Sequence, residues 1–369
     1  LIATAKAHYG NTTTTMIQLR ERDTKMRVIR SSKTRLTAMS LIMVIFMSGL
    51  VGCASSSKLG ESLNYPADVP QPYLTLEQVI EGAQDTPAGL FSRFLGMIVG
   101  PERKFTLNQP TDMVVDQKGR LLIVESESGF ISIYTEVDGE WLNSGRVHLP
   151  EILHPTSIAA GPNNIFVSDL MGGNVHILDY EFNLLGTMNH ADMQRPGGLC
   201  YDAHSNRLLI ADPPAHRIFI FSPGGEYLAQ VGRVGHTKGL LQSPIAITVD
   251  AANGNIYVLD GMARKVKQYD PDLNFISSFG EYDQVPGSFA FPKGIAIAVD
   301  GTLFVGDAAF GNIQMFDPAG ALLFYFGETG AGAGQFLMPR NLFIDHEQRL
   351  FVADPFNNRV QIFRYFAQD

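Results

Sequence analysis

The chain has 369 residues, 45 % of them hydrophobic, enough for a full core, and its 37 acidic and 28 basic side chains give a formal net charge of −9. Eight of the basic and two of the acidic residues precede Cys53, leaving 20 basic and 35 acidic residues in the remainder and a charge near −15 there. So acidic a surface repels phosphate backbones and anionic membranes, which argues against a nucleic-acid partner, and two cysteines, Cys53 and Cys200, are too few for a disulfide framework.

In chain order, residues 1–25 precede Met26, the expected start, and read as an upstream segment without structure of its own. Residues 26–52 open with MRVIRSSKTRLTAMS, which has four basic residues and no acid, and continue with the apolar run LIMVIFMSGLVG. A basic region followed by a short apolar region is a secretory signal peptide. As a helix, twelve residues rise about 18 Å, too little for a bilayer core of roughly 30 Å. The segment LVGC, Leu50 to Cys53, resembles the lipobox of bacterial lipoproteins. The resemblance implies that Cys53 is lipidated and that the protein is exported and held on a membrane by that anchor alone. Ala54 is compatible with the outer membrane. Residues 53–90, rich in Ser and Pro, read as a flexible tether.

From residue 91 to 369 the chain repeats itself. Pro110, Pro155, Pro196, Pro244, Pro292 and Pro339 are spaced by 45, 41, 48, 48 and 47 residues. After each comes a β-type run, a turn, and a second run ending in an acid: Glu125, Asp169, Asp212, Asp260, Asp307, Asp354. A third run follows, and in the later repeats a fourth. Four short strands per unit, repeated six times, predict an all-β, six-bladed β-propeller with four-stranded antiparallel blades. The last repeat has no room for its fourth strand after Phe366, so an N-terminal strand is expected to close it, taken from Ser92 to Pro110 near Met97. Closure removes an open sheet edge.

The stretch LFVADPFNNRVQIF, Leu350 to Phe363, with near-copies at Leu303, Ile256 and Leu208, resembles the NHL repeat. The resemblance implies a six-bladed propeller with a binding role or, in one branch, a peptide-amidating lyase.

An acid repeated in every blade suits construction better than catalysis, which needs a group once. Each is expected to accept turn N–H groups and, where Arg217, Lys265 or Arg359 stands five residues on, to pair with that base. Loops before the first strand and after the second share one face around the channel. The residues that vary there are the candidate ligand face: Asp112, His154, Arg195, His216, Lys293, Arg340 and Asn357. Arg195, Lys293 and Arg340, each beside its marking proline, are expected to ring the mouth with positive charge suited to a carboxylate or phosphate. Cys200 reads as a small buried hydrophobe.

No phosphate loop, haem-attachment motif or nucleophile elbow is present in the sequence. The lyase resemblance implies zinc held by histidines, with His154, His216 and His236 as the candidates on the correct face; calcium is the other metal of that enzyme reading. The favoured reading is a non-catalytic scaffold at the bacterial envelope. It would be monomeric, free of cofactors, and would hold a protein, peptide or small ligand.

Overall fold

The computed structural model describes residues 63–67, 71–81, 107–235 and 239–367. Two short segments come first, β1 (Asn64–Tyr65) and β2 (Leu74–Glu81). Blade 1 then holds β3 (Pro110–Val115), β4 (Arg120–Glu125), β5 (Phe130–Val137) and β6 (Glu140–His148). Blade 2 holds β7 (Pro155–Ala160), β8 (Ile165–Asp169), β9 (Asn174–Leu178) and β10 (Leu184–Met188). In blade 3 are β11 (Leu199–Asp202), β12 (Arg207–Asp212), β13 (Arg217–Phe221) and β14 (Tyr227–Val231). In blade 4 are β15 (Pro244–Val249), β16 (Ile256–Asp260), β17 (Lys265–Tyr269) and β18 (Phe275–Phe279). Blade 5 comprises β19 (Pro292–Ile297), β20 (Leu303–Asp307), β21 (Asn312–Phe316) and β22 (Leu322–Phe326). Blade 6 contributes β23 (Leu342–Ile344), β24 (Arg349–Asp354) and β25 (Arg359–Tyr365).

Every blade is an antiparallel meander, and six of them make the propeller. The second strands, such as IYVLD and LFVGD, are buried along their whole length because a neighbouring blade covers each face. They therefore read as continuous apolar runs instead of alternating ones. Outer strands such as β22 alternate between exposed and half-buried positions.

The ring closes through β2, which pairs antiparallel with β25 from Leu74 opposite Tyr365 to Glu81 opposite Arg359. This corrects the expected closing segment: the strand comes from within residues 53–90, the stretch read as tether. Residues 82–106, including Met97, lie outside the described residues, as do Cys53 and the leader. The physical reason is visible in LTLEQVIE, where Leu74, Leu76 and Ile80 are buried and face the blade. β1 adds a fifth strand, and the Tyr65 ring packs at a tilt against those of Phe326 and Phe363. Gln78 on β2 then exchanges two hydrogen bonds with the Trp141 backbone in blade 1, at 3.0 and 2.9 Å.

Six apolar clusters fill the six seams between blades; the last joins Phe351, Val360 and Ile362 of blade 6 to Met113 and Leu121 of blade 1. Each fully buried Leu or Phe contributes about 1.5–3 kcal/mol relative to exposure. Polar clasps cross the same seams. Arg120 reaches the Tyr180 carbonyl, Arg207 the Pro271 carbonyl, and Arg349 the Glu136 carboxylate, each on the following blade. Tyr365 does the same work between blades 5 and 6 by donating to Asp300 at 2.7 Å. Each arginine is also paired with an acid of its own first turn, Asp116, Asp202 or Asp345.

Candidate functional site

In four blades the marking proline lies opposite the acid that ends the second strand: Pro110 faces Glu125, Pro155 Asp169, Pro244 Asp260 and Pro292 Asp307. Register shifts follow Pro110, Pro155, Pro244 and Pro292. Such a bulge re-aims the next side chains. The inner strands consequently meet at a neck formed by six equivalent positions: Asp112, Ser157, Gly198, Ala246, Gly294 and Asn341. Glycine is required where the approach is tightest. A Cβ on Gly198 would lie 2.5 Å from the Ile245 carbonyl oxygen, and one on Gly294 only 2.3 Å from that of Arg340.

Asp112 organises the neck. It is 3 % exposed, and its carboxylate accepts from Asn341 Nδ2 at 2.6 Å, Met113 N at 2.8 Å, Ile158 N at 3.0 Å and the Ser157 hydroxyl. Burial pushes its pKa up to about 6 despite these donors. Ser157 passes the network on by accepting from Leu199 N at 3.0 Å. Four inner strands, of blades 6, 1, 2 and 3, are thereby linked through one buried carboxylate.

Beyond the neck a cavity of about 500 Å³ occupies the channel and runs to Asp250, Asp345 and His346 in the first turns of the far face. Its walls include Cys200, Thr248 and Phe343. Burial pushes the Cys200 thiol up to about 12, so it is not a thiolate at neutral pH.

The six blade acids are all buried. Each receives N–H groups from the loop entering its own blade: Asn108 for Glu125, Leu153 and His154 for Asp169, Gln194 and Arg195 for Asp212. Gln242 and Ser243 serve Asp260, Ala290 and Phe291 serve Asp307, and Leu337 serves Asp354. The expected partner five residues on forms only at Asp354, where Arg359 Nε lies at 2.8 Å. Arg217 turns away to Asp192, and Asp260 is met instead by Lys267, two positions beyond Lys265 and buried, at 2.8 Å. The lysine side chain reaches the carboxylate from inside the sheet, where position 265 sits at the turn.

Among the candidate ligand residues, several serve the scaffold. Asn357 bridges the Gly330 carbonyl and Asp354 at 2.9 and 2.8 Å. His216 adopts φ +56° and bonds the Gln242 carbonyl through Nδ1. His154 is half-buried and gives its backbone N–H to Asp169. His236 lies outside the described residues. Among the described residues, no three His, Cys, Asp or Glu side chains gather as a metal site.

The cations are arranged otherwise. Arg340 and Lys293, on adjacent blades, share one side of the mouth; Arg195, on blade 3, is exposed on the opposite blade from Arg340. Lys293 Nζ stands 3.7 Å above the Phe291 ring. Burial and the neighbouring Arg340 charge both lower the lysine pKa. The same face carries an apolar collar not anticipated from the sequence, drawn from blades 2, 4, 5 and 6: Leu153, Met171, Met262, Phe291, Leu337 and Phe356 are between 37 % and 73 % exposed. All sit in loops that enter an inner strand or follow a second strand, hence on this face. They occupy two or three loop positions that each blade fills differently or leaves polar, so no full repeat announces them.

The DUF5128 family, described as a 6-bladed beta-propeller, matches residues 168–284. No curated protein matches the sequence. Among solved structures, a Bacteroides thetaiotaomicron protein of unknown function has a TM-score of 0.57 at 14 % identity, covering 70 % of each chain. A Bacteroides thetaiotaomicron auxiliary nutrient binding protein has a TM-score of 0.56 at 13 % identity, covering 70 % of this chain and 69 % of that one. A catalytically inactive virginiamycin B lyase from Staphylococcus aureus, solved with quinupristin, has a TM-score of 0.53 at 13 % identity, covering 69 % and 81 %. The chain shares with all three the propeller fold, and it is a six-bladed β-propeller.

Proposed function

We propose that this propeller is a binding scaffold, exported and lipid-anchored through Cys53, whose ligand face is the loop face around Lys293 and Arg340. The apolar collar carries the reading. Six large apolar side chains exposed on one rigid face support an interaction site there. The collar residues are fixed by a frame whose loop N–H groups end on buried carboxylates, so the face is preorganised and loses little freedom on binding. A nutrient-binding protein of the same fold fits this reading, and LFVADPFNNRVQIF supports assigning the repeats to the NHL type.

The test is capture of envelope proteins or peptides on the chain from Ala54 onward, which contains every strand of the closed ring. A partner retained by the native face and lost from the Met171→Ser, Met262→Ser, Phe356→Ser triple variant supports the scaffold. Retention by both, at equal yield, would overturn it. Anchoring is tested separately: Cys53→Ser should move the full-length protein from the membrane to the soluble fraction, and continued membrane association refutes the lipid anchor.

A further inference from the structure

We propose that Lys293 and Arg340 form an oxyanion site at the channel mouth that takes the terminal carboxylate or phosphate of a ligand with an apolar body. The inference rests on the reading of this face as the ligand face and names the chemistry it recognises.

The argument begins with adjacency. Lys293 follows Pro292 at the bulge that opens β19, and Gly294 behind it presses on the Arg340 carbonyl so closely that a Cβ would lie 2.3 Å from that oxygen. Two cationic side chains therefore leave the backbone side by side. Among the described residues, neither makes a hydrogen bond or ion pair through its charged group; Lys293 has only the face of Phe291 beneath it.

Like charges near one another are costly, and the cost is legible here. Desolvation lowers both groups, and Arg340 lowers Lys293 further. Asp112 offsets the burial of Arg340 only in part and is not among the groups acting on Lys293. Asp112 lies behind Arg340 in the neck, with both oxygens occupied by Asn341, Met113, Ser157 and Ile158. A chain whose body carries a charge near −15 has carboxylates to spare, yet among the described residues none forms an ion pair with either cation. What the pair lacks is an anion from outside. A fork of guanidinium and ammonium fits two oxygens of one carboxylate or phosphate.

The collar supplies the second half of the recognition. Phe291 is 44 % exposed beneath the ammonium, and Leu337, in the loop leading to Arg340, is 37 % exposed. An apolar chain attached to the anion would lie across these two side chains, removing their surface from water.

The experiment titrates the chain from Ala54 onward with octanoate, octyl phosphate and octanol by calorimetry at low ionic strength. Either or both anions should bind at least about tenfold tighter than the alcohol, and the tighter of the two identifies the head group. Lys293→Ala and Arg340→Ala should each weaken the anion about tenfold, whereas Lys118→Ala, at an exposed pair elsewhere, should leave it unchanged. Lys293→Arg should retain binding, which separates charge from folding. Octanol binding as tightly as both anions, or anion binding unchanged in the Lys293→Ala, Arg340→Ala double variant, overturns the site. A macromolecular partner still captured by that double variant would sink this proposal while leaving the scaffold intact; loss of capture only in the collar variant separates the two.

Discussion

Asn341 of the last blade donates its side-chain amide to the carboxylate of Asp112 in the first, at 2.6 Å, across the seam where the ring closes. The bond belongs to a neck that is polar on blades 6, 1 and 2 and built of glycine or alanine on blades 3, 4 and 5.

The Asp112 carboxyl titrates near pH 6, against an ordinary value of 3.8. Its folded state holds the proton more tightly than the unfolded chain, so its contribution favours folding below about pH 4 and is lost as pH rises to about 6. A shift of this size corresponds to about 3 kcal/mol. Asp112→Asn, which has no charge to lose, should flatten that slope. Denaturant titrations at four pH values between 4 and 7 check it; equal slopes in the two proteins would refute the assignment.

Lys267→Met should destabilise by about 3–5 kcal/mol, because it strands the Asp260 carboxylate without its cation in a buried site. Arg217→Ala removes the exposed pair with Asp192 and should cost about 1 kcal/mol or less. Thermal melts of the two variants side by side decide whether the repeated acid is a fastener from within the sheet.

Leu76→Ala on the closing strand should cost about 2–5 kcal/mol, since the side chain is buried in the seam between blades 5 and 6. A chain beginning after Glu81 should lose cooperative unfolding altogether, as the last blade would expose an unpaired edge. A single sharp transition in that truncated chain would show that β2 is dispensable.

Purified protein should carry zinc well below one equivalent, and neither His154→Ala nor His216→Ala should alter it, because the His216 ring is already engaged by the Gln242 carbonyl. Stoichiometric zinc lost on either substitution would restore the lyase reading.

The blades were legible in the sequence because their geometry is repeated: one proline, one acid and three apolar runs recur with little change. The closing strand was not, because LTLEQVIE occurs once and follows a segment whose Ser and Pro content suggests a tether. A second device recurs in three of the blades. DQKGR, DAHSNR and DHEQR each place an arginine four or five residues after an acid, and these are the residues that clasp one blade to the next. The cations of the mouth were readable one by one, but their grouping was not. It depends on which blades lie side by side, and that placed Arg195 across the channel from Arg340. The apolar collar left no trace because turn positions 171, 262 and 356 are free to differ once the buried acid before them fixes the backbone.

Glu77 and Arg364, joined at 2.8 Å, stand 287 positions apart. During synthesis β2 emerges early, with only the two-residue β1 beside it, and its long partner β25 follows after the other blades. For most of that interval its apolar side lies open to any stray strand, a template for misassembly. A late, long-range closure of this kind slows folding.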